Sequence, residues 1–253
     1  MVAGHTLTLA LGSGDRIGTV LIIRETLALL GGTAAPMALL WLAGGSALGG
    51  LEVAMVWLGF ETASIGFDKI GLSYTAVSSI LTGLFSAVGV RLLLRGSGGW
   101  GRLDRHVVAA VCVYAGVAFL YGLWTLALAE MFARPPRPFL GVALAILLIA
   151  TLYVTVKLVL WPVALIAARL EVRAFRSWRL MRKATRGYVL AHVIFLAPFA
   201  GLLFLPGVGE GLLLPPGVLE AASLGYAILS LAATVVVYQI RVEWPAGVAD
   251  VFA

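Results

Sequence analysis

The residues in this chain that could do chemistry are few, and the densest group of them is cationic. Between Glu171 and Gly187 the sequence reads E-V-R-A-F-R-S-W-R-L-M-R-K-A-T-R-G. Wound as a helix of about 3.6 residues per turn, this stretch places Ala174, Phe175, Trp178 and Met181 on one side. Arg176, Arg179, Lys183 and Arg186 fall on the other, with Arg182 near the boundary. Such a pattern suits a helix lying in the membrane interface, its apolar face sunk to the acyl boundary and its cations among the headgroups. Near an anionic surface each cation contributes about 1 kcal/mol. Arg173, Arg176, Arg179, Arg182, Lys183 and Arg186 are therefore the candidate lipid-headgroup residues. The same charges also serve to keep the segment on the cytoplasmic side.

A second group consists of polar residues within apolar runs, where an ionisable side chain is costly and hence a functional candidate. Glu52, Lys157 and His192 stand out. Glu52 and Lys157 differ in expected depth by about 10 Å at 1.5 Å per residue, so a direct pair needs the full reach of the lysine or a bridging water. His192 reads as a hydrogen-bonded packing residue more readily than as a catalyst. Glu130, Glu210 and Glu220 sit at the ends of apolar runs, where solvation accounts for them.

Catalytic signatures are missing. Gly96, Gly98 and Gly101 satisfy G-x-G-x-x-G but follow no strand, so the match carries no nucleotide-binding meaning. His5, His106 and His192 are scattered, with no H-E-x-x-H and no nucleophile elbow. Cys112 is the single cysteine, which removes disulfide frameworks and cysteine metal clusters. The sequence gives no reason to expect an enzyme, a cofactor or a metal.

The elements that must hold these residues are set by composition. Of the 253 residues 61% are hydrophobic and 12% charged, against about 25% charged in a soluble domain. Too few polar groups remain to cover a water-soluble globule. Spanning hydrocarbon takes about 20 apolar residues, and six stretches qualify: 33–59, 72–95, 106–130, 139–168, 188–206 and 217–241. Asp68-Lys69, Gly96-Ser97-Gly98-Gly99, Arg134-Pro135-Pro136-Arg137-Pro138 and Pro215-Pro216-Gly217 lie between them. The expectation is an all-α polytopic bundle forming one membrane domain over 1–253. Interfacial helices are expected at 15–31 and 171–187. The first of these shows no clean polar face, which suggests cover by protein on more than one side. Met1 to Gly14 has neither a basic start nor a continuous apolar run, so the first span is expected to act as its own insertion signal.

Orientation follows from lysine and arginine, which are in excess in cytoplasmic loops. With the N-terminus inside, fourteen of these residues lie on cytoplasmic segments and three on outer loops (Lys69, Arg134 and Arg137), Lys157 being within a span. Seven of the fourteen lie between Arg169 and Arg186. The net charge of +6 thus reflects topology, and no nucleic-acid partner is implied. Both termini are expected in the cytoplasm of a bacterial inner-membrane protein.

Within the spans, Gly45 and Gly49 form G-x-x-x-G, and Ser79, Gly83 and Ala87 a second small-residue stripe, both compatible with close helix contact. Pro162 after Trp161 frees a carbonyl and predicts a kink. The helix-like segments 15–31 and 171–187 each precede further spans, a loose hint of the duplicated architecture seen in transporters.

Leu160-Trp161-Pro162 followed by Arg176-Ser177-Trp178-Arg179-Leu180 resembles the "L-x-P … R-S-W-R-L-T-R-G" stretch of a bacterial membrane family. That family comprises the membrane domain of certain glycerophosphodiester phosphodiesterases and its stand-alone YciC-like relatives. The entry Gly18-Thr19-Val20-Leu21 is similar as well. Met181 and Lys183 stand where the family often has Thr and Gly, and Ala184-Thr185-Arg186 replaces its aromatic-rich continuation. The resemblance implies about six spans with interfacial helices before the first and fifth. It implies no catalytic site, because the phosphodiesterase activity of that family resides in a separate soluble domain.

Two functions follow as expectations. The first is a non-enzymatic inner-membrane protein of envelope or lipid homeostasis whose partners are anionic lipids. The second is a small transporter or channel with a polar cavity near Glu52 and Lys157. Homo-oligomers and protein partners stay open.

Overall fold

Uncharged runs of Leu, Val, Ala and Ile in hydrocarbon have only their own carbonyls to bond, and a helix satisfies them all. The computed structural model describes residues 17–58, 69–96, 104–133, 138–169, 172–202 and 218–243. These hold α1 (Thr19–Gly32), α2 (Ala34–Trp57), α3 (Lys69–Arg95), α4 (Arg105–Ala133) and α5 (Pro138–Leu158). They continue with α6 (Leu160–Ile166), α7 (Ala174–Met181), α8 (Thr185–Leu202) and α9 (Val218–Tyr238), which closes in a π-helical turn at Gln239–Glu243. Among the described residues there is no strand, so the all-α bundle stands.

Among the described residues, five segments are long and apolar enough to cross a membrane: Ala34–Met55, Lys69–Arg95, Arg105–Leu128, Gly141–Ile166 and Ser223–Val242. The sequence predicts six. The remaining stretch, 188–206, corresponds to α8, whose 18 residues begin with the polar Thr185 and Arg186. Its expected end at 203–206 lies outside the described residues, as do the N-terminal 1–16 and the C-terminal 244–253.

The buried core gathers at one end of the bundle. It joins Ile17 and Ile22, the last turns of α3 (Val90, Leu92, Leu93), the first of α4 (Val107, Ala110) and nearly all of α6. Met181, Tyr188 and Ala191 complete it with the C-terminal half of α9. This is the end at which the arginines cluster. α1 packs on α8 and α9. It buries Ile22 and Thr26 but leaves Val20 79% and Leu27 55% exposed. The expected multi-sided cover of this segment is therefore corrected to one face, because an apolar flank needs no protein partner where hydrocarbon surrounds it.

α3 and α4 pack along most of their length, and small residues on α3 permit it. Ser79, Gly83 and Ala87 are all buried there, as their spacing predicts. The Gly45 and Gly49 pair behaves otherwise: a Cβ at either would meet nothing within 4 Å. Gly44 is the close approach on α2, facing Leu224 and Phe85, in line with buried Met37 and Leu40. The inward face of α2 is thus rotated by one residue from the expected one.

The fourth expected span is kinked. Pro162 has no N–H for the carbonyl of Leu158, and the helix breaks at Val159 between α5 and α6. α6 then turns into the core, where it meets α4, α9 and α3. It ends in a Schellman-type turn, with Arg169 N–H bonded to Ala164 O at 2.9 Å and Ala168 N–H to Leu165 O at 3.1 Å. That turn holds Ala168 at φ 56°, where a Cβ costs about 1–2 kcal/mol. Ala168→Gly is expected to raise stability by about 0.5–1 kcal/mol after the entropy that glycine adds to the unfolded chain. The check is thermal unfolding in detergent; an unchanged or lower Tm contradicts it.

At the start of α4, Asp104 Oδ1 accepts bonds from the N–H groups of His106 and Val107, each at 2.9 Å. The Val107 bond is the main cause holding this carboxyl below its ordinary value of 3.8. Burial opposes it, and the His106 N–H and the charges of His106 and Arg91 add to the lowering. Because the folded value is depressed, this cap is fully effective above the unfolded value and is lost as pH falls through the folded one. Asp104→Ala is expected to cost about 1 kcal/mol at neutral pH. The gap to wild type narrows below about pH 4, and unfolding curves at two pH values measure it.

Candidate functional site

The kink at Val159 leaves the last carbonyls of α5 without helical partners, and α7 supplies one. Ser177 Oγ, fully buried, donates to the carbonyl of Lys157 at 2.9 Å. Lys157 Nζ donates to Thr185 Oγ1 at 2.8 Å, and that hydroxyl donates onward to Met181 O at 2.5 Å. The ammonium also lies 5.3 Å from the centre of the Tyr153 ring. Tyr153 in turn meets Trp178 edge-on, with centroids 5.6 Å apart. One lysine therefore ties the end of α5 to α7 and to the first residue of α8.

Residues 171–187 do not form one helix, and Glu171 lies outside the described residues. α7 covers Ala174–Met181, a tight turn follows with Arg182 N–H bonded to Arg179 O and Ala184 N–H to Met181 O, and α8 starts at Thr185. The expected apolar side of this segment is also divided. Met181 is buried, but Phe175 is 87% and Trp178 36% exposed, and Ser177 takes the inward centre instead. The hydrogen bond to Lys157 sets this rotation. It stands Phe175 and Trp178 outward on the same arc as Arg179, a mixed aromatic and cationic surface.

All six candidate headgroup residues, Arg173, Arg176, Arg179, Arg182, Lys183 and Arg186, are exposed. Among the described residues, no carboxylate pairs with any of the five arginines of this set. The only ion pair found among described residues, Arg24 with Glu25 at 2.9 Å, lies on α1.

His192 belongs to a different cluster, between α8 and α9. Its Nδ1 is 2.9 Å from the carbonyl of Tyr188 and its Nε2 2.8 Å from Ser230 Oγ. A carbonyl only accepts, so Nδ1 carries a proton, and Ser230 Oγ is the partner of Nε2. Thr234 donates to Ser230 O at 2.8 Å, which leaves Tyr188 O–H to donate to Thr234 Oγ1 at 2.7 Å. Both imidazole nitrogens are engaged, and His192, Tyr188, Thr234 and Ser230 form one connected set of hydrogen bonds. His192 thus works as packing glue between helices, with the Tyr188 ring 4.0 Å away and that of Tyr226 at 6.2 Å.

The structure does not bring Glu52 and Lys157 together. Glu52 is half-buried near the end of α2, which packs on α3, α9 and α1. Lys157 lies in the last turn of α5, which packs chiefly on α7. Among the described residues no three His, Cys, Asp or Glu side chains converge as metal ligands. Sequence reading passed over Ser177, Thr185, Tyr153, Ser230 and Thr234. Only Ser177, a small hydroxyl amid arginines and tryptophan, offered a signal. No protein-family model, curated protein or solved structure matches the chain.

Proposed function

We propose that this chain is a non-enzymatic, multi-pass protein of the bacterial inner membrane that engages anionic lipid headgroups at the cytoplasmic face. In this reading α8 completes a sixth span, both termini lie in the cytoplasm, and the role is in envelope or lipid homeostasis. The observation that carries it is the surface formed by the N-cap of α7, α7 itself, the following turn and the start of α8. Six exposed cations stand there beside exposed Phe175 and Trp178, in the order of charge and aromatic that suits the boundary between headgroups and chains. The fourteen-to-three bias of lysine and arginine supports the cytoplasmic placement. The likeness of Arg176-Ser177-Trp178-Arg179-Leu180 to the YciC-like stretch supports the same reading.

The test is thermal unfolding of the whole protein in nanodiscs of phosphatidylcholine with increasing phosphatidylglycerol. Stability is expected to rise with the anionic fraction, and 0.5 M salt, by shortening the screening length to a few ångströms, is expected to remove most of the gain. A Tm independent of anionic lipid overturns the proposal.

A further inference from the structure

Lys157 is only 5% exposed, yet no carboxylate meets it among the described residues. Its partners are a neutral hydroxyl, Thr185 Oγ1, and the face of the Tyr153 ring. An ammonium carries three donors, and a buried charge without a counter-ion is costly. Arg182 stands in the turn between α7 and α8, three residues before Thr185, and adds a second cation to this end of the seam. Two cations thus border one seam, a charge pattern complementary to an anion.

The flank below that seam is as informative as the charge. Counting back from Lys157 in helical steps gives Tyr153, Ile149, Ile146 and Val142 on one stripe of α5. Tyr153 is 51%, Ile149 66%, Ile146 62% and Val142 60% exposed. From Lys157 to Val142 the stripe runs roughly 22 Å at 1.5 Å per residue, longer than the roughly 15 Å of hydrocarbon in one leaflet. Ammonium, aromatic ring and branched aliphatics follow one another in the order of a phospholipid read from phosphate to chain.

We infer that the seam between α5, α7 and the start of α8 holds one anionic phospholipid, its phosphate facing Lys157 and Arg182 and an acyl chain lying along Ile149, Ile146 and Val142. This rests on the headgroup reading above and narrows it from a charged surface to a site of unit stoichiometry. The occupant is a lipid rather than a soluble phosphate because the stripe continues into apolar side chains that a free anion leaves uncovered.

Native mass spectrometry of the delipidated, full-length protein reloaded with phosphatidylglycerol tests it. Wild type is expected to retain one phosphatidylglycerol at collision energies that strip phosphatidylcholine. Lys157→Met is expected to lower that occupancy at least tenfold, and Lys157→Arg to restore it. Thr185→Val removes the internal hydroxyl and leaves the charge, so it is expected to keep the lipid. If the Lys157 side chain served only to latch the start of α8, Thr185→Val and Lys157→Met would instead lower Tm alike and neither would change lipid retention. Retention of the tight adduct by a folded Lys157→Met protein overturns the site, even where Tm still rises with anionic lipid and the surface reading stands. Displacement of the adduct by millimolar glycerol 3-phosphate, or loss of a dimer rather than of a lipid on Lys157→Met, overturns it as well. A Tm indifferent to anionic lipid, with the adduct still lost in Lys157→Met, would fail the surface reading alone.

Discussion

Leucine in place of Gly83 is expected to leave little folded protein, whereas leucine in place of Gly45 is expected to leave folding intact. A Cβ at Gly83 would lie 2.7 Å from both Val111 O and Ala115 N. These are backbone atoms in the middle of α4, and they cannot rotate aside as a side chain can. The neighbours Ser79 and Ala87 are buried on the same stripe, so α3 has no slack there in which to shift. Overpacking a fitted core costs about 1–3 kcal/mol when side chains can adjust. Forcing two helix backbones apart is expected to exceed that, a large part of a stability on the order of 5–15 kcal/mol. At Gly45 the same side chain enters open space. Fluorescence-detected size exclusion from detergent extracts reads both variants. A monodisperse Gly83→Leu protein at wild-type yield would mean that α3 and α4 do not cross at this residue.

The largest effect expected on binding comes from removing charge without touching the core. Arg176, Arg179 and Lys183 are all exposed, so the triple substitution to Gln is expected to fold with wild-type Tm in phosphatidylcholine. At about 1 kcal/mol per cation near an anionic surface, the triple change removes about 3 kcal/mol of attraction. The anionic-lipid concentration that gives half of the stabilisation is then expected to rise roughly a hundredfold, at about 1.4 kcal/mol per factor of ten. High salt acting on wild type is expected to mimic much of the change. A triple variant stabilised by phosphatidylglycerol as strongly as wild type would remove these side chains from any headgroup role.

Much of the fold is legible in the sequence because spanning hydrocarbon is a property of single segments. Length and apolarity place α2, α3, α4, the α5–α6 unit and α9 without reference to any neighbour. Pro162 marks the kink for the same reason, since it deletes a hydrogen bond within its own helix. Which face of a helix meets protein is another matter. In water, apolar periodicity points to the core. In lipid, both the lipid-facing and protein-facing sides are apolar, so periodicity loses its meaning. That is why Gly45 and Gly49 read as a contact when Gly44 makes it, and why α1 reads as enclosed when one flank is open. The cationic segment misleads in a related way. Its arginines are legible as charge, but the inward turn of Ser177 depends on a carbonyl of α5 that lies 20 residues away. His192 is recognisable as a packing residue, while its partners Ser230 and Thr234 become visible only once α8 and α9 are side by side.

The cationic surface of α7 is expected at the cytoplasmic face of the membrane, and labelling of a single thiol reads its side. In a Cys112→Ser background, Arg179→Cys places a single thiol on the exposed arc of α7 beside Phe175. A membrane-impermeant maleimide is expected to modify it in inside-out vesicles and not in intact spheroplasts. Anionic vesicle lipid is expected to slow the reaction relative to an otherwise identical zwitterionic preparation. Modification in intact spheroplasts would place α7 at the periplasmic face and remove the cytoplasmic headgroup role.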